Sequence, residues 1–93
     1  MALSWKREAN GVLVASPAAD IMVTVYPLPA GLPVSAETKR WETCVRWHYA
    51  PAPYGFANYD SEQDAIDDAP RLTAAALDAL VVQLAEAREE VTR

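Results

Sequence analysis

Cysteine and histidine each occur once in the 93 residues, phenylalanine once, lysine twice and glycine three times. One cysteine excludes an internal disulfide framework and any all-cysteine zinc site. One histidine excludes a multi-histidine metal centre within a single chain. The sequence also lacks a phosphate-cradling glycine loop, a dinucleotide fingerprint and a nucleophile elbow. No apolar run exceeds four residues, as at Val12–Ala15, against about 20 needed to span a bilayer. Lys6, Arg7 and Glu8 fall where a secretion signal would carry its apolar stretch. The expectation is a cytoplasmic protein with a reduced Cys44, no membrane association and no cofactor.

Apolar residues make up 52% of the chain and charged residues 23%, the composition of one globular domain spanning residues 1–93. Thirteen acids against eight bases give a net charge of −5 and a pI near 4.6. That balance argues against a general binder of phosphate backbones and therefore against direct nucleic-acid binding. The excess is lopsided. Residues 1–49 hold five bases and four acids, whereas residues 50–93 hold three bases and nine acids.

Residues 1–49 read as sheet. Asn10-Gly11 is a tight-turn dipeptide between Trp5–Ala9 and Val12–Ser16. Pro17–Asp20 is a second turn, and Ile21–Tyr26 is a β-branched strand. Pro27, Pro29, Gly31 and Pro33 then impose a long irregular loop. In Arg40–Tyr49 the residues alternate, with Trp41, Thr43, Val45, Trp47 and Tyr49 on one face and Glu42, Cys44, Arg46 and His48 on the other. Residues 50–60 read as an aromatic, proline-rich loop and 61–91 as helical. Ser61 caps a short helix, Pro70 predicts a break near Ala69, and Thr73 caps a long helix. Leu77, Leu80, Val81, Leu84 and Val91 form the apolar stripe expected to face the sheet. The resulting fold class is α+β: an antiparallel three- to four-stranded sheet with a short and a long C-terminal helix packed on one face. No heptad pattern is long enough to specify a coiled coil from sequence.

Three constellations invite chemistry. Cys44 and His48 suggest a nucleophile and its base, but four residues along a strand separate them by about 13 Å, too far for a hydrogen bond. No catalytic residue is expected, nor is a metal site. Asp60, Glu62, Asp64, Asp67 and Asp68 place five carboxylates within nine residues, without the glycine and spacing of a calcium loop. They either complement a helix N-terminus and keep the protein in solution, or they form an acidic docking surface. Tyr54, Phe56 and Tyr59 lie just before them in a proline-stiffened segment. They either plug the end of the core or supply rigid contact area for a partner.

The leading expectation is a small, acidic, non-catalytic binding protein that docks on and blocks a protein partner with a basic surface. Asp60, Glu62, Asp64, Asp67, Asp68, Tyr54, Phe56 and Tyr59 would carry the contact. By association alone, it extends to the inhibitors through which phages and mobile elements block host nucleases or CRISPR effectors (anti-CRISPR-like). The alternative is a homo-oligomeric structural or accessory protein pairing through a sheet edge or the open sheet face, a homodimer being the simplest form.

Overall fold

The computed structural model describes residues 3–28, 40–50 and 52–93. The Pro-rich loop from Pro29 to Pro33 lies outside the described residues. Five antiparallel strands, β1 (Lys6–Arg7), β2 (Leu13–Ala18), β3 (Ile21–Pro27), β4 (Trp41–Trp47) and β5 (Gly55–Tyr59), pair in the order β1-β2-β3-β4-β5. One helix, α1 (Glu62–Val91), follows and packs on β3, β4 and β5.

The turn at Asn10-Gly11 forms as its chemistry demands. Gly11 adopts φ 87, a value open to glycine at no steric cost. The Asn10 side chain accepts from the Val12 amide at 3.1 Å. Pro17 does not start the second turn. β2 runs on to Ala18 through a register shift between Ala15 and Ala18, and the chain reverses at Ala19-Asp20. A proline in an irregularity costs no ladder hydrogen bond.

The sheet has one strand more than the upper expectation, because the second half of the 50–60 loop is β5. Gly55–Tyr59 pairs with Val45–Trp41 without a slip. Pro53 lies in the approach to it. Gly55 is where α1 comes closest: a β-carbon there would sit 3.4 Å from the Ala76 Cβ and the Leu72 Cδ1.

The expected pair of helices is corrected to one continuous helix of 30 residues. Ser61 is the N-cap, its hydroxyl accepting from the Asp64 amide at 3.1 Å. Pro70 lies inside the helix without ending it. Thr73 is therefore not a cap but a buried mid-helix residue. The buried seam also differs from the expected stripe. Ala65, Ala69, Thr73, Ala76 and Leu80 face the sheet, whereas Val81, Leu84 and Val91 are exposed. Alanine at these contacts lets the backbone of α1 approach the sheet closely, and Val23, Val25 and Val45 fill the space beneath. The Thr43 hydroxyl, fully buried, donates to the Ala65 carbonyl at 3.0 Å and ties β4 to the first turns of α1.

The Thr73 hydroxyl is buried and has no hydrogen-bond partner among the described residues. An orphaned buried polar group costs about 1–3 kcal/mol. Thr73→Val keeps the shape and removes the orphan, so it raises the unfolding free energy by about 1 kcal/mol in urea titration. A decrease would show that the hydroxyl has a partner in solution.

Candidate functional site

The five carboxylates sit around the N-terminus of α1, the positive end of the helix dipole. They are not equivalent. Glu62 accepts from Arg7 of β1 at 2.7 Å across the sheet. Asp68 is gripped by Arg71 through two bonds, at 2.7 and 2.6 Å, and accepts from the Tyr59 hydroxyl at 2.7 Å. Asp67 accepts from the Gln63 side-chain amide at 2.8 Å. Among the described residues, Asp60, Asp64 and Asp67 have no ion-pair partner, and all three are exposed. The cluster thus divides into two tethered carboxylates that brace the helix start and three free ones that project charge into solvent.

The electrostatics of Asp68 follow from its partners. Arg71, and then the Tyr59 hydroxyl, stabilise the ionised form and hold its pKa down at about 2. Burial and the bond to Asp68 together push Tyr59 up to about 12, so it remains a protonated donor. A carboxyl whose pKa falls on folding adds stability that is complete above its ordinary value of 3.8 and fades as pH drops through about 2. The stability gap between wild type and Asp68→Asn therefore narrows between pH 4 and 2. Urea unfolding at pH 5, 3 and 2 reads this directly, and a constant gap would contradict the assignment.

The three aromatics do not converge. Tyr59 joins the acid cluster through Asp68. Phe56 is opposite Cys44 on the sheet face away from α1, 64% exposed. Tyr54 precedes β5 at its other end, edge-on to Trp47 at 6.2 Å and bonded to Gln83. The structure thus ties Tyr59 to Asp68, turns Glu62 toward Arg7 of β1, sets Phe56 on the sheet face away from α1, and places Tyr54 about 16 Å along the chain from Tyr59.

The open face is less open than the alternation suggests. Met22 is 46% exposed, but Cys44 only 2%. Thr24 and Phe56 flank Cys44 in the neighbouring strands. Burial pushes the Cys44 thiol up, which makes it a poor nucleophile. Tyr26 and Glu42 share a hydrogen bond beside it, and burial followed by that bond raises the tyrosine. His48 is exposed in the turn after β4, edge-on to Tyr49.

Sequence reasoning missed Arg7 as the partner of Glu62, a pairing 55 residues apart that only the β1 position creates. The Asp68–Arg71 pair follows from an i,i+3 spacing on one helix face, but the expected break near Ala69 falls between the two residues, and only the continuous helix brings them together. No described helix is long and apolar enough to cross a membrane. The chain matches no protein-family model, no curated protein and no solved structure.

Proposed function

We propose that this chain is a small, non-catalytic binding protein whose acidic end docks on a basic protein surface and blocks it. The observation that carries the reading is the set of three exposed carboxylates at the start of α1, Asp60, Asp64 and Asp67, that have no ion-pair partner among the described residues. Glu62 and Asp68, held by Arg7 and Arg71, fix the frame that presents them. Tyr59 lies within the frame through its bond to Asp68, and Phe56 offers an exposed aromatic ring on the opposite sheet face. An acidic surface at a helix start suits a groove lined with lysine and arginine. A nucleic-acid-binding protein, such as a nuclease or a CRISPR effector, offers such a groove. The buried thiol of Cys44 supports a role without covalent chemistry.

Affinity capture from a source lysate, with wild type and Asp60→Lys/Asp64→Lys/Asp67→Lys side by side, tests this reading. Wild type retains a basic protein that elutes as salt rises, and the charge-reversed chain retains roughly tenfold less or worse. Equal retention by both would overturn the proposal.

A further inference from the structure

We propose that α1 is also the interface of a two-fold symmetric homodimer, in which the last turns of each helix lie antiparallel against the partner copy's helix. The inference begins with length. Thirty residues of helix measure about 45 Å, whereas the seven residues of β3 or β4 measure about 23 Å. Every residue from Val81 to Arg93 is exposed, including Val81 at 63%, Leu84 at 48% and Val91 at 84%. Helical segments of this length are marginal in water unless an apolar face is packed.

The chemistry of the exposed face specifies another helix as its occupant. Pro70, Ala74, Leu77, Val81, Leu84, Arg88 and Val91 follow one another at alternating steps of four and three, the spacing by which helices interlock along a seam. The step pattern also fixes an antiparallel register: Val81 against Leu84 of the second copy, Leu77 against Arg88, and Ala74 against Val91.

Two features on the same molecule receive what this register delivers. First, a groove of about 340 Å³ runs beside Pro70, Thr73, Ala74 and Leu77, closed on its far side by Leu3 and Pro17. It lies on the flank of α1 that faces the end of β2, with Ser16 and Pro17 of β2 and Leu3 forming the opposite wall. The register lays the second copy's Leu84–Val91 segment along this groove, with Val91 at Ala74. Second, the seam contains one cation, Arg88, and the residue after Leu77 is Asp78. Among the described residues neither has an ion-pair partner. Pairing Leu77 with Arg88 of the second copy brings that guanidinium beside Asp78, twice per dimer. The overhang, the groove and the charge pair are thus mutually complementary and close under one two-fold axis.

Sedimentation equilibrium of the full chain between about 1 and 200 μM tests this. Wild type approaches twice 10.2 kDa. Val91→Glu, at a position too exposed to affect folding, raises the dimer dissociation constant at least roughly tenfold. Asp78→Arg and Arg88→Asp each weaken the dimer about tenfold, and the two together in one chain restore it to within about threefold of wild type. A mass of 10.2 kDa throughout the range would overturn the proposal. So would a dimer insensitive to Val91→Glu, which would place the contact at a sheet edge or the open face. Failure of the doubly charge-swapped chain to recover would overturn the antiparallel register.

Discussion

Ala69→Leu lowers the unfolding free energy by about 2–3 kcal/mol. Ala69 is fully buried, packed in one cluster with Ala15, Val23, Val45 and Ala76. The seam of α1 works because its residues are small. Gly55 and Ala76 meet where the helix crosses the edge of the sheet, and an added β-carbon there would already touch. Three further carbons at Ala69 have nowhere to go without lifting the helix from β3 and β4, which also stretches the Thr43–Ala65 bond. By contrast, Val81→Ala and Val91→Ala, on the face that hydropathy alone would assign to the core, change stability by less than about 0.5 kcal/mol when the chain is dilute enough to be monomeric. Guanidinium titration of the three variants separates the two faces. A tolerant Ala69 with sensitive Val81 and Val91 would reverse the assignment of the seam.

Pro70→Ala raises the unfolding free energy by about 2 kcal/mol and the melting temperature by roughly 10 °C. Pro70 sits in the ninth position of α1, without an amide to donate to the Ile66 carbonyl. Alanine restores that bond and relieves the ring against the preceding turn. The sign is diagnostic. If the chain broke at Ala69 and Thr73 capped a second helix, Pro70 would lie in the connector, where its fixed φ restricts the unfolded chain, and alanine would be neutral or worse. A melting scan and the far-ultraviolet dichroism of the variant decide between the two.

The elements that local chemistry decides were readable from sequence. The Asn10-Gly11 turn, the Ser61 cap and the two-residue alternation of β4 each follow from residues within a few positions of one another. β5 was not, because Gly55–Tyr59 becomes a strand only when Trp41–Val45 offers an unpaired edge beside it. The seam of α1 was not, because alanine contributes little to an apolar periodicity. With 18 alanines in the chain, the leucines and valines drew the pattern instead. Apart from Leu80, they describe the flank and overhang of the helix rather than its buried side. Pro70 misled for a related reason: its intrinsic cost is real, but packing of Ala65, Ala69, Ala76 and Leu80 on the sheet outweighs it. In the acidic end, the density of carboxylates was plain from sequence. Their division into tethered and free depended on Arg7, which a hairpin carries across the sheet.

That division also sets the most direct measurement of how the chain works. The association rate with the captured partner, followed from 50 to 500 mM salt, separates electrostatic docking from apolar contact. Docking through Asp60, Asp64 and Asp67 predicts a wild-type rate that falls about tenfold or more over this range. It also predicts a charge-reversed chain that starts slow and changes little with salt. A wild-type rate indifferent to salt, or a charge-reversed chain that associates as fast as wild type, would contradict the acidic end as the docking surface.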